Sequence, residues 1–279
     1  MRQNLSRTLL CAWLGLFAMG AVAAPEQFHR RAHQLLHQAA DESDIQAEIR
    51  FGRDIAARIL GRLQIEPLDS PRHHYVNLVG RALAGLANRP ELEFRFAIVR
   101  SDAITAYSTP GGYVFVTSAA LDAMRDEAEL AAVLAHEIAH ISERHIVEAF
   151  NIRGSDDSAL SGVARLVGGG QDTSRVAFFQ AVDNAVKLLF ETGYRHQDEL
   201  EADRVALMLL AASGYEPQAL PRFLQRAQAL AQDHGQVSSS HPATAQRLVA
   251  IARFMEEEGL SALAGSRAKQ RFQRHVQAL

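Results

Sequence analysis

Asp126-Glu127-Ala128-Glu129-Leu130-Ala131-Ala132-Val133-Leu134-Ala135-His136-Glu137-Ile138-Ala139-His140 is the stretch from which the rest of the chain can be read. Asp126 followed by Glu129 forms a capping-box pattern, which predicts a helix with Asp126 as its N-cap. Leu130, Val133, Leu134, Ile138 and Ile141 recur at helical spacing, so this helix is expected to be largely buried. His136 and His140 stand four residues apart, about 40° round a helix, so both imidazoles leave one face and can grip one ion. Glu137 leans over the open side, where it can take a proton from an attacking water. Two histidines and a glutamate on a buried helix need partners. A metal satisfies them; a solvated, charged helix face does not.

A catalytic zinc usually takes three protein ligands, and a third must be found. One class of zinc peptidase continues the motif to H-x-x-G-x-x-H, but here Glu143 stands at the glycine and Ile146 at the histidine. On a continuous helix His145 would lie about 140° round from His140, so it does not supply the ligand either. The alternative is a carboxylate from a later helix, which Glu199-Leu200-Glu201-Ala202-Asp203 offers. Glu199 and Asp203 face the same way; one can bind the metal while the other holds a ligand histidine by its second ring nitrogen. Glu201 points about 200° away from Glu199 and is the poorer candidate.

These blocks resemble the zinc endopeptidase family that includes the CAAX prenyl proteases, the HtpX-type heat-shock proteases and exported proteases of Gram-negative outer-membrane biogenesis. The resemblance covers roughly residues 101–253. It rests on Pro110-Gly111-Gly112-Tyr113-Val114-Phe115-Val116, on His136 to His140 with Arg144-His145, on Glu199 to Asp203, and on His241-Pro242 with Arg247. It implies a gluzincin-type α+β domain, mainly helical, with a small antiparallel sheet and an HExxH active-site helix. It implies one zinc ion per subunit, held by His136, His140 and Glu199. Glu137 would be the general base, and Asp203 a proton donor or a residue that orients a ligand. The stretch Thr105-Ala106-Tyr107-Ser108-Thr109 departs from the Asn-Ala-Phe-like run of relatives, and the helical repeats that some exported relatives carry are missing.

An oxyanion developing during peptide hydrolysis needs a donor besides the metal. His241 and Arg247 are the candidates, with Tyr194 a weaker one. His241 could alternatively take the fourth metal position and hold the enzyme latent. The strand Gly112, Tyr113, Val114, Phe115 is the candidate for pairing with an extended peptide through backbone hydrogen bonds. The activity expected is cleavage of unfolded or misassembled exported proteins, with outer-membrane assembly machinery as a possible partner. The rival reading is an exported chaperone or assembly factor with a latent or structural zinc site. Glu137 speaks against it, since a purely structural site would not need that base.

With 279 residues and 48% apolar content the chain can build a sizeable core. A net charge of −3, without basic runs interleaved with aromatics, excludes a nucleic-acid binder. Arg2 and Arg7, the apolar run 9–18 and Ala21-Val22-Ala23 predict a signal peptide over 1–23, hence a periplasmic protein of a Gram-negative bacterium. Cys11 is the only cysteine and falls within that segment. Residues 24–279 are expected to form one metalloprotease domain without a transmembrane span. Its parts are N-terminal helices over 25–88, sheet and active-site helix over 91–150, a lid-like insertion over 151–175, and the third-ligand and C-terminal helices over 176–279. Phe94, Phe96 and Ile98 and the run 113–117 alternate as two strands, expected to pair antiparallel. His29, His33, His37, His73 and His74 are expected at the surface. The tail from Ser266, with Arg267, Lys269, Arg271 and Arg274 and no acid, reads as a solvated helix.

Overall fold

Apolar spacing of the two kinds produces helices and strands where it occurs. The computed structural model describes residues 42–154, 171–233, 241 and 244–277. All lie within the compact unit Ala39–Leu279. The expected signal segment, His29, His33 and His37, and the middle of the insertion at 155–170 fall outside the described residues.

Helix α1 (Glu42–Leu60) buries Phe51, Ile55 and Ile59 along one face. Ser70 caps α2 (Pro71–Ala84): its hydroxyl accepts from the His73 backbone N–H at 3.1 Å, and Pro71 occupies the first turn, where a missing N–H costs nothing. Strands β1 (Arg95–Val99), β2 (Ala106–Thr109) and β3 (Tyr113–Thr117) follow. Then come α3 (Ser118–Ala123), α4 (Glu127–Ser142) and α5 (His145–Ala149). Helix α6 (Gln171–Lys187) passes into a π-helical turn at Leu188–Thr192; α7 (His196–Ala212), α8 (Ala219–Asp233), α9 (Thr244–Glu257) and α10 (Lys269–Phe272) follow, the last running into a π-helical turn at Gln273–Gln277. No helix among the described residues is long and apolar enough to cross a membrane.

The sheet is mixed, with strand order β1-β3-β2. The expected antiparallel pairing of the first and last strands is corrected: β1 and β3 run parallel, Arg95 opposite Tyr113 and Val99 opposite Thr117. The antiparallel partner of β3 is β2, joined to it through Pro110-Gly111-Gly112. Both glycines have positive φ, +78° and +98°, which glycine alone adopts readily. Strand β2 has no alternation to betray it because all four of its residues are buried. Central β3 is paired on both sides, so the expected substrate strand Gly112, Tyr113, Val114, Phe115 has β1 and β2 along its two edges.

Period-two alternation divides the sheet between two cores. Phe96, Ile98, Val114 and Val116 face one cluster with α2, α4, α7 and α9. Val99, Tyr107 and Phe115 face a second, built with α1, α5 and α6. His73 is buried in α2 rather than exposed, and burial lowers its pKa.

Helix α4 runs through the first core with every residue from Glu127 to Ile141 buried. The Asp126 carboxylate accepts from the Glu129 N–H at 3.0 Å, and Glu129 accepts from the Arg125 N–H at 2.9 Å. The tail is also corrected. Arg267 reaches Asp126 at 2.8 Å, Arg271 pairs with Glu127, and Phe272 and Val276 are buried. The Arg267 carbonyl accepts from the N–H groups of Glu127 and Ala128, two donors that a helix start leaves without intrahelical partners.

Candidate metal centre

Helix α4 brings His136 and His140 side by side, as their spacing requires. Their Nε2 atoms lie 3.1 Å apart. Helix α7 packs against α4 and carries Glu199, whose Oε2 is 3.6 Å from His136 Nε2 and whose Oε1 is 3.5 Å from His140 Nε2. His241 joins them, and one ligand atom from each of the four residues lies within 4.8 Å of all the others. Nitrogen and carboxylate ligands about 2.0–2.2 Å from a tetrahedral ion would be separated by roughly 3.3 Å, so this donor set fits zinc. Two imidazole nitrogens that close, facing a buried carboxylate, are suited to hold a cation between them.

The two acids on α7 divide their tasks. Glu199 turns to the imidazole pair, whereas Asp203 Oδ1 sits 3.1 Å from Nδ1 of His136, the nitrogen facing away from the cluster. Arg247 from α9 grips Asp203 with Nε at 2.8 Å and NH2 at 2.6 Å, while NH1 lies 2.7 Å from Glu199 Oε2. This guanidinium is buried and each of its nitrogens faces a carboxylate, where the sequence suggested a donor for the oxyanion. It anchors both acids instead.

The electrostatics follow from these contacts. Burial would raise Glu199, yet the charges of His241 and Arg247 hold it well below the usual carboxylate range. Burial likewise works against ionisation of Asp203, and Arg247 outweighs it. Burial and Arg247 push His136 down, but Asp203 and Glu199 outweigh them and raise it. His140, buried and beside the His136 charge, falls well below its ordinary value and is a neutral donor.

Glu137 lies on α4 between these groups, and its carboxylate meets His241 Nε2 at 3.3 Å. Burial would raise its pKa; the charge of His241 lowers it, with a smaller contribution from the Ser108 hydroxyl. His241 Nδ1 also reaches Glu199 Oε1 at 2.9 Å. Burial opposes charging of this imidazole, but Glu199 and Glu137 raise its pKa to about 10. Tyr194 stacks on His140 with ring centroids 3.9 Å apart and has a buried hydroxyl without a hydrogen-bond partner.

Sequence reasoning missed Ser108 and the neighbourhood of His145. Ser108 sits on β2 with a buried hydroxyl close to both Glu137 and Tyr194. A lone serine in a short strand carries no signal. His145 touches His140, Nδ1 to Nδ1 at 2.9 Å, because α4 ends at Ser142 and the chain turns back. A small pocket beside His140 is also lined by Ser108, Arg144, Tyr194 and Glu48.

Comparison with known proteins places the chain in a family. The model of peptidase family M48 matches residues 70–254. The beta-barrel assembly-enhancing protease of Escherichia coli (strain K12) is 34% identical over 159 residues, 54% of this chain and 32% of that protein. The Yersinia pestis protein of the same name is 30% identical over 171 residues, again 54% and 32%. The mitochondrial metalloendopeptidase OMA1 of Schizosaccharomyces pombe is 27% identical over 215 residues, 75% of this chain and 61% of that one. The chain therefore spans about a third of the length of these two bacterial relatives.

Proposed function

The chain belongs to peptidase family M48, and from that premise we propose that it is a zinc-dependent endopeptidase acting on unfolded or misassembled proteins of the cell envelope. The observation that carries this reading is the convergence of His136, His140 and Glu199, with Glu137 beside them. A structural site needs no adjacent base.

In this reading His136, His140 and Glu199 hold one zinc ion per subunit. Zinc, when bound, supplies a Lewis acid that polarises the scissile carbonyl and acidifies water. Glu137 accepts the proton of the attacking water and delivers it to the leaving amine, changing from base to acid between the two steps. Asp203 orients His136 through Nδ1, and Arg247 keeps both acids ionised and in place. The peptide pairs with the sheet at β2, the edge strand packed against α4, rather than at β3. His241 covers Glu137 and Glu199 before substrate arrives and must be displaced for cleavage.

Residues 1–23 act as a signal peptide and 24–279 as one metalloprotease domain, giving a periplasmic enzyme. The names of its bacterial relatives, beta-barrel assembly-enhancing proteases, favour a partner in outer-membrane protein assembly. A second reading, an assembly factor whose zinc site stays latent, is favoured by one contact, His241 on Glu137. Cleavage of unfolded casein by zinc-loaded protein distinguishes them. Wild type is expected to cleave, and Glu137→Gln to lose about 100-fold or more of the rate while keeping its zinc. Equal cleavage by both, or none by loaded wild type, abandons the protease reading.

A further inference from the structure

We propose that His145 is a positioning residue for His140, holding the imidazole in the tautomer and orientation that direct its Nε2 at the metal. The proposal rests on the reading that His136, His140 and Glu199 bind zinc. Three observations carry it.

The first is the contact itself. His140 Nδ1 and His145 Nδ1 lie 2.9 Å apart, both rings are buried, and the ring planes are inclined at 71°. One nitrogen must carry the hydrogen. If His140 turns its Nε2 lone pair toward the ion, Nδ1 holds the proton and donates it to His145 Nδ1. His145 is then protonated on Nε2, a buried atom with no hydrogen-bond partner, and Glu201 Oε2 stands 3.7 Å from it.

The second is the asymmetry between the two histidine ligands. His136 has the carboxylate of Asp203 at its far nitrogen, at 3.1 Å. His140 has another imidazole in that place, with a carboxylate one ring further out. The acid nearest the far nitrogen of His140 is therefore separated from it by the His145 ring.

The third is what brings His145 there. On a continuous helix it would point about 140° away from His140. Arg144 instead adopts the left-handed conformation, φ 58° and ψ 30°, and turns α5 back toward α4. That conformation is held from outside. Arg144 Nε lies 3.3 Å from Glu48 Oε2, Glu48 is paired with Arg89 through both oxygens, and Arg89 NH1 donates to the Ile141 carbonyl at the end of α4. The clasp joins α1 to the place where the chain reverses.

The test exploits which atom each amide can imitate. Asn at position 145 puts an amide oxygen close to where Nδ1 was, whereas Gln puts it near Nε2. Zinc affinity is measured on the full chain by competition with a chromogenic chelator, alongside the visible spectrum of the cobalt-substituted protein and the thermal unfolding midpoint. His145→Gln and His145→Leu are expected to weaken zinc about 10- to 100-fold and to shift the cobalt bands, while His145→Asn stays within about threefold of wild type. Equal zinc affinity for the Asn and Gln variants overturns the proposal, because a packing role would not distinguish two folded, polar replacements. Should His145→Leu fail to fold, the Asn and Gln pair decides alone. If wild type takes up no zinc, the metal reading falls and the proposal with it. If wild type binds one zinc and the two amides behave alike, only the proposal falls.

Discussion

His241 Nε2 lies 3.3 Å from Glu137 Oε1, and the same ring reaches Glu199 with its other nitrogen. The imidazole thus bridges the proposed base and a proposed metal ligand. Both carboxylates attract it, so its departure breaks two charge-assisted contacts.

Releasing Glu137 from that contact should unmask activity. His241→Ala is expected to raise the initial rate of casein cleavage about tenfold, the equivalent of one charge-assisted hydrogen bond of about 1.4 kcal/mol. A rate no higher than wild type, with unchanged cobalt spectrum, rejects a latent role for His241 and leaves it as an oxyanion donor.

Arg247 is buried among Asp203 and Glu199, so removing its charge strands two carboxylates. Arg247→Met is expected to destabilise the fold by about 3–5 kcal/mol, because the desolvation cost of the acids remains while their partner is gone. Urea unfolding of the zinc-free protein measures this without interference from the metal. A loss below about 1 kcal/mol would mean that water reaches the pair.

The approach of α1 to the β2–β3 turn depends on a missing side chain. A Cβ at Gly52 would lie 1.6 Å from the Pro110 carbonyl oxygen, a backbone atom that cannot rotate aside. Gly52→Ala is therefore expected to cost about 3 kcal/mol or more. Gly61→Ala, where the nearest atoms are at 3.5 Å, serves as the control and should be close to neutral.

Acid stability should depend on Glu127. Burial would raise its carboxyl, but hydrogen bonds from Arg271, Tyr215 and Tyr75 hold it below the ordinary value. A carboxyl with a lower pKa in the folded chain leaves the unfolded chain binding more protons as pH falls. Its contribution is therefore complete above the unfolded pKa of about 4.3 and is lost as pH drops through the folded value. Urea midpoints from pH 7 to pH 3 should fall less steeply for Glu127→Gln than for wild type below about pH 4.3. Parallel curves would contradict this.

The proposed metal donors were legible because local geometry binds them. Four-residue spacing on a helix forces His136 and His140 to one side, and it does the same for Glu199 and Asp203. The capping pair Asp126 and Glu129 set the start of α4, and a buried helix with polar groups demanded a partner. Those are properties of one helix at a time.

What the local pattern could not contain was every contact made between distant segments. Parallel pairing of β1 with β3 depends on β2 returning first, and four fully buried residues leave no alternation to announce it. The tail arginines looked solvated because their acids, Asp126 and Glu127, lie more than a hundred residues earlier. Which of Glu199 and Asp203 faces the imidazole pair follows from the packing of α7 on α4 and from Arg247 on α9. His145 is the sharpest case. Its reach to His140 requires Arg144 at positive φ, a conformation its own side chain disfavours and that Glu48, nearly a hundred residues upstream, helps to hold. Helical periodicity is a short-range rule, so it already marks the candidate metal-binding helix and the acids that could serve it. Which atoms those residues present to one another depends on burial and charge pairing between elements that no local rule connects.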